Sequence, residues 1–366
     1  MRSIGSEETP ERANDAEGRL ARTQTFAALI VAVLVLATVA IALTLERPDT
    51  DVDRSTWAYD MVQLEQARGM GLTGFGIRVG ILDTGVDMDH AAMAGVKVVA
   101  WLDLVSGRKD PYDDLGHGTA MASIIAGRSP LRGGVTDAEL IVVKVLDEDN
   151  PFDDEVIADG IDFCLDPDGD NDTGDGADII SLSLGGEYED IDILIGSKTQ
   201  AAIANAVANG VVVVAAAGND GSAEDVMLPS RLPDVIAVGA VDKRGQMAPF
   251  SSRGNNSVER PDPDQKPEIV APGVDIITAH VDGQYARGSG TSHATALVSA
   301  VLAAAMSYVP ELLHDGARGG NETSVKTIKT ALMETARPLE GQATPHDAKA
   351  GYGLAQAVDL ALELRS

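Results

Sequence analysis

Three residues in this chain pair a reactive side chain with a glycine-bracketed setting at the border of an apolar run. Asp83 follows the run "IRVGIL" in "ILDTGVD", His117 opens "GHGTAMASIIAG", and Ser292 stands in "RGSGTSHATALVSAVLAAA" at the mouth of a long Ala/Val/Leu pattern. Taken singly, none is decisive. An aspartate after a strand also fits phosphorylated receivers, nucleotide sites and plain turn chemistry. A histidine at a helix start lies near the positive helix end, which disfavours its protonated form and favours a neutral base. A serine there meets unpaired backbone N–H groups and serves as a cap or as a nucleophile. Together the carboxylate, imidazole and hydroxyl supply an orienter, a base and a nucleophile for acyl transfer, and their chain order Asp, His, Ser is one of those known for such triads.

Such chemistry needs elements that carry three distant residues to one place. Apolar runs at 77–82, 96–102, 140–146, 178–184, 211–217 and 235–241 read as buried strands, and helical patterns occupy 117–127, 153–165 and 197–209. Near-continuous β-branched runs alternating with helices predict an α/β fold, a three-layer αβα arrangement around a mostly parallel central sheet. In such sheets functional groups gather at the carboxyl ends of the strands.

With 57 acidic against 28 basic residues the formal charge is −29, which repels phosphates and excludes sequence-independent binding to nucleic acid. The acids are spread along the chain, the expected surface of a protein from a halophile that must stay hydrated in high salt. The single cysteine, Cys164, can form no intrachain disulfide and reads as a small buried hydrophobe in "VIADGIDFCL".

Residues 1–24 are polar and mixed in charge, a composition expected to be disordered in the cytoplasm. The stretch 25–45 includes an uncharged run, "FAALIVAVLVLATVAIALTL", long enough to cross a bilayer as a signal anchor. A secretory peptide cleaved near Ala42, after "AIA", is the alternative, although its apolar core would be shorter. Arg12, Arg19 and Arg22 before the span outnumber Arg47 and Arg54 after it, which predicts a cytoplasmic N-terminus and an extracytoplasmic main domain. Residues 46–56 form a polar linker. Sequons at Asn171, Asn255 and Asn321 are compatible with an external location.

Over roughly residues 57–360, within an expected peptidase domain of 57–366, the chain resembles the subtilisin-like serine proteases. "VGILDTGVD", "GHGTAMASIIAG" and "GSGTSHATA" are similar to the family's aspartate, histidine and serine boxes, while "EIVAPGVDIITA" and "GYGLAQAVDLA" resemble later family segments. The resemblance implies a serine endopeptidase acting on protein or peptide substrates, with Asp83, His117 and Ser292 catalytic. It implies an oxyanion hole formed by Asn219, in "AAAGND", and the Ser292 backbone N–H. It also implies a substrate cleft lined by Ser183, Leu184, Gly185 and Gly186 of "ISLSLGG" and by Ala217 and Gly218, where an extended substrate would add as a strand. No cofactor is required for this catalysis.

The chain departs from the family pattern at His293, directly after the serine, at Ala296 where proline is common, and at Ala120 where a second histidine is usual. These put subsite shape in question more than activity, and a catalytically inactive, membrane-anchored peptide-binding relative is the alternative. Few residues separate the apolar span from Trp57, so the domain is expected to fold without a prodomain. The tract "DPDGDNDTGDGAD" offers Asp166, Asp168, Asp170 and Asp172 as candidate ligands of a structural Ca²⁺, against a solvated loop.

Overall fold

The apolar runs become strands within two residues of their expected limits: β2 (Arg78–Asp83), β3 (Lys97–Asp103), β4 (Glu139–Lys144), β5 (Ile179–Leu182), β6 (Val212–Ala216) and β7 (Ile236–Val241). With β8 (Ile269–Pro272) they form one parallel sheet in the order β3-β4-β2-β5-β6-β7-β8. The computed structural model describes residues 55–148, 153–184, 196–221 and 223–366, together with the backbone of a two-residue strand, β1 (Thr44–Leu45). The inner strands β5 to β7 are buried along their whole length, as is β8 at one edge, whereas β3 at the other edge is partly buried or exposed at all but its last residue. Burial on both faces is what an inner parallel strand requires.

The helices are α1 (Thr56–Met61), α2 (Leu64–Gly69), α3 (His117–Ala126), α4 (Asp154–Leu165), α5 (Ser197–Ala208), α6 (Thr291–Met306), α7 (Glu322–Glu334) and α8 (Ala357–Arg365). Side-chain parity assigns the layers. Gly80 of β2 faces Cys164 of α4, and a Cβ on Gly80 would lie 2.8 Å from that sulfur. Ile81 pairs in register with Ser181 of β5, and Ser181 Oγ accepts from Ser299 Oγ of α6 at 3.0 Å. Since neighbours along β2 point to opposite faces, α4 and α6 lie on opposite sides of the sheet. Asp83 shares the α6 face.

Every residue of α6 is buried, which explains why its sequence is almost wholly Ala, Val, Leu, Ser and Thr: a helix packed all round has no polar stripe to offer. A hairpin of β9 (Ile276–His280) and β10 (Gln284–Gly288) leads into α6 and is tied to α3 by the Ala279 N–H donating to Ser123 Oγ at 3.0 Å.

The expected span at 25–45 lies outside the described residues except for Thr44 and Leu45. Those two are not helical. They pair as β1 with Arg287 and Ala286, completing the open edge of the hairpin with backbone hydrogen bonds. The expected tail at 1–24 and all but the last two linker residues also lie outside the described residues. Among the described residues no helix is both long and apolar enough to cross a membrane.

Candidate active site

The chain runs from β2 outward to β3, returns to β4 between them, and then crosses to β5 on the other side of β2. The strand order therefore reverses between β2 and β5, and a crevice forms there beyond the carboxyl ends. Asp83 is the last residue of β2 and is fully buried. Two glycines let the start of α3 close on it. Gly85 has φ +114°, and a Cβ there would lie 2.0 Å from the Tyr112 carbonyl; a Cβ on Gly118 would lie 2.1 Å from the Gly85 carbonyl. Backbone meets backbone at this corner, and only glycine leaves room.

His117 opens α3 and turns Nδ1 to Asp83 Oδ1 at 2.8 Å. The same carboxylate oxygen accepts the Thr84 N–H at 2.7 Å, while Oδ2 is buried with no hydrogen bond among the described residues. Burial works against a charged His117, but the charge and hydrogen bond of Asp83, helped by Asp113, outweigh it and hold the imidazole pKa above its ordinary value. The side chain stays 18% exposed, so the imidazole is open toward the crevice.

Ser292 is the second residue of α6 and is 8% exposed. Its hydroxyl donates to the Ser183 carbonyl at 3.3 Å, and Ser183 Oγ donates back to the Ser292 carbonyl at 3.3 Å, locking the end of β5 to the start of α6. Asn219, three residues past β6, is fixed through its carbonyl: Oδ1 accepts both the Thr291 N–H at 2.8 Å and the Thr291 hydroxyl at 2.9 Å. With Oδ1 engaged, Nδ2 is left to face the α6 N-terminus, where backbone donors and the helix dipole favour an anion.

Of the expected cleft residues, Ser183, Leu184, Ala217 and Gly218 lie just past β5 and β6 beside Ser292 and Thr291; Gly218 N donates to Thr291 Oγ1 at 3.3 Å. Gly185 and Gly186 lie outside the described residues. Cys164 is fully buried, and burial pushes its thiol pKa up, so it is inert. Ala120 and Ala296 are both buried inside their helices.

The acidic tract forms an exposed loop after α4. Asp166 and Asp168 come together with Asp175, their carboxylates mutually within 4.8 Å. All four expected residues also turn to the loop's own backbone: Asp166 accepts the N–H groups of Gly169, Asp170 and Asn171, and Asp168, Asp170 and Asp172 accept those of Asp170, Asp172 and Gly174. Such local turns are what aspartate does in a loop without helix or strand partners.

Two residues the sequence reading passed over organise this site. Asp113 accepts from the Thr84 and Thr119 hydroxyls and from the N–H groups of Leu115, Gly116 and Thr119, binding the β2 corner to the α3 start and capping the helix in place of Gly116. Lys144, at the end of β4 and fully buried, donates to the carbonyls of Thr84 and Leu146 and to Asp114 at 2.7, 2.9 and 2.7 Å. The signals were an aspartate ahead of a glycine-led helix and a lysine inside an apolar run.

A parallel sheet with a carboxylate–imidazole pair and a buried helix carrying a serine in its first turn at one switch point defines a class of α/β hydrolytic fold. The chain belongs to the Subtilase family (peptidase S8), whose profile matches residues 74–353. Relatives include the serine protease AprX of Bacillus subtilis, 33% identical over 68% of this chain and 60% of that protein, and subtilisin DY of Bacillus licheniformis, 32% identical over 76% of this chain and 90% of that protein. The major intracellular serine protease of B. subtilis is 32% identical over 80% of this chain and 87% of its own length. The chain spans only 36% of another relative, the minor extracellular protease Epr.

Proposed function

We propose that the chain is a serine endopeptidase that cleaves protein or peptide substrates through an acyl-enzyme on Ser292. The observation that carries this reading is the hydrogen bond of 2.8 Å between buried Asp83 and crevice-facing His117, set at the same sheet switch point as Ser292. In this scheme Ser292 Oγ attacks the scissile carbonyl while His117 Nε2 takes its proton and later delivers it to the leaving amine. Asp83 holds the Nδ1–H tautomer and stabilises the imidazolium. The Ser292 N–H and Asn219 Nδ2 receive the oxyanion. Residues Ser183 to Gly186 pair with the extended substrate on one side, and Ala217 and Gly218 border it on the other.

The test is covalent labelling with a fluorophosphonate alongside peptide hydrolysis. Wild type is expected to be labelled and active, and Ser292→Ala to lose both, with turnover down at least about 10⁴-fold. Labelling that persists in Ser292→Ala sinks the assignment.

The setting of the enzyme belongs to the same reading. The apolar run at 25–45 is proposed as a single-pass anchor with the protease outside the cytoplasm, checked by membrane fractionation and N-terminal sequencing, where a mature chain starting near Ala42 would indicate secretion instead. The charge of −29 supports a halophilic protein, for which molar KCl should raise the melting temperature. Catalysis uses no cofactor. A Ca²⁺ held by Asp166, Asp168 and Asp175 would be structural, and a chelator that leaves the melting temperature unchanged removes it.

A further inference from the structure

His293 follows the nucleophile, and its position is unusual for a histidine. The side chain is buried at 8% exposure, and its Nδ1 is buried with no hydrogen-bond partner among the described residues. Native structures rarely leave such a nitrogen unpaired, so its orientation calls for a reason. The ring is held edge-on by close packing: a Cβ on Gly288 would fall 2.1 Å from His293 Nε2, so only glycine at 288 admits the ring in this pose. That packing turns the opposite nitrogen toward Gly290.

The space in front of Gly290 is bordered by the side chains of Asn219 and His293. A side chain built on Gly290 would begin 3.5 Å from Asn219 Nδ2, 3.6 Å from His293 Nδ1 and 3.7 Å from Asn219 Oδ1. Asn219 Oδ1 is already committed to Thr291, so the amide presents its donor side. The same space lies at the N-terminus of α6, which welcomes negative charge. A donor amide, a helix start and an unpaired imidazole nitrogen thus face one small volume beside Ser292.

We propose that His293 is a catalytic residue that donates its Nδ1–H to the oxyanion, as a third donor beside Asn219 Nδ2 and the Ser292 N–H. This rests on the reading of Ser292 as nucleophile. When Ser292 Oγ bonds to the scissile carbon, the carbonyl π pair moves onto oxygen and the Oγ proton moves to His117. The oxyanion then accepts from the three donors. Collapse restores the carbonyl, breaks the C–N bond, and sends the proton from His117 to the departing amine.

Burial, reinforced by the nearby His117, drives the His293 pKa down to about 3, so the ring stays neutral wherever His117 can act as a base. A neutral ring carries one N–H, and it donates without adding a second positive charge beside His117. The arrangement differs from one that would place an imidazolium there, which would depress the base it adjoins.

The test exploits geometry. In the full chain, His293→Asn puts an amide N–H where Nδ1 stood, His293→Gln reaches instead toward the Nε2 position, and His293→Leu removes the donor. Asn is expected to keep kcat within about threefold of wild type, while Gln and Leu lose about 10- to 100-fold in kcat with KM changed less than about threefold. Affinity for a peptide aldehyde, which forms a tetrahedral adduct with the serine, should fall in step with kcat. Imidazole ¹⁵N spectra of wild type should show a proton on Nδ1 of His293 that shifts downfield in the adduct. Gln and Leu variants with wild-type kcat, an Asn variant as impaired as Leu, or a bare Nδ1 in the spectra would each overturn the inference while leaving Ser292 as the nucleophile. A wild type that neither hydrolyses peptide nor takes the fluorophosphonate overturns both readings at once.

Discussion

At the carboxyl end of the sheet His117 Nδ1 meets Asp83 Oδ1 at 2.8 Å; at the amino end, just before β5, His314 Nδ1 meets Asp178 Oδ1 at the same 2.8 Å. The pairs differ in what the second nitrogen does. His314 Nε2 faces the Thr173 carbonyl at 2.7 Å, Asp178 Oδ2 accepts the Arg78 N–H at 2.9 Å, and the His314 side chain is 2% exposed. His117 keeps 18% exposure, and its Nε2 makes no hydrogen bond among the described residues. Although Asp178, His314 and Asp315 lie close enough together to ligate a metal, both His314 nitrogens are already engaged, which makes the cluster an ion pair. On the proposed reading, an aspartate–histidine pair is not reactive in itself: reactivity needs a nitrogen left facing open space at a strand's carboxyl end.

The sharpest way to break this comparison is to delete each histidine. His117→Ala should cut kcat/KM by at least about 10⁴ while leaving the melting temperature near wild type. His314→Ala should leave the activity per folded molecule within about threefold but destabilise by about 1–3 kcal/mol, because Asp178 is left buried without its partner. Equal activity losses in calorimetrically intact proteins would erase the distinction.

A smaller effect is expected from Asn219→Leu, which removes one donor at the reactive end: kcat should fall about 10²- to 10³-fold with KM nearly unchanged. A matching rise in KM would instead assign Asn219 to ground-state binding.

Smallest and most specific are the pH effects. Burial lowers the pKa of both histidines, but the partner carboxylates outweigh it, so both lie above the ordinary value of 6.5. For His117, which must be neutral to act as a base, activity should fall with decreasing pH through a midpoint above 6.5. For His314 the protonated form is the one the fold binds. Its contribution to stability is complete below 6.5 and is lost as pH rises through the higher folded-state value. Melting curves of His314→Gln should lack that alkaline decline, and a wild type with no such decline would remove the assigned charge.

Much of the frame was legible beforehand because burial on both faces imposes unbroken β-branched runs, and these marked β2, β4, β6 and β7 nearly to the residue. The hairpin was not read, though Asp282 and Gly283, with φ of 58° and 68°, carry the Asp-Gly signature of a tight turn. Its strands are short and polar enough to pass for loop. Helices α7 and α8 were not read either, although α7 carries a clear apolar face in Val325, Ile328 and Leu332 and the short α8 is mostly Ala, Val and Leu. At the site, single boxes pointed to Asp83, His117 and Ser292, yet the groups that aim them did not stand out. The holds of Thr291 on Asn219 and of Asp113 on Thr119 join residues whose proximity only the sheet order creates. The acidic tract shows the converse, since Asp166, Asp168, Asp170 and Asp172 all accept backbone N–H groups of their own loop, and alternate spacing does not say that Asp175 is the carboxylate that joins Asp166 and Asp168.

Helix α6 has no solvent face at any of its positions. Beyond its first turn, its amide hydrogens can reach water only when the whole layer around them opens, so they should be among the last to exchange with deuterium. The proposed nucleophile, Ser292, is carried on this segment and should not be shed by fraying. Under heat or denaturant, loss of serine labelling and loss of global structure should then fall on a single curve, and the enzyme should carry no partly melted form that still cuts.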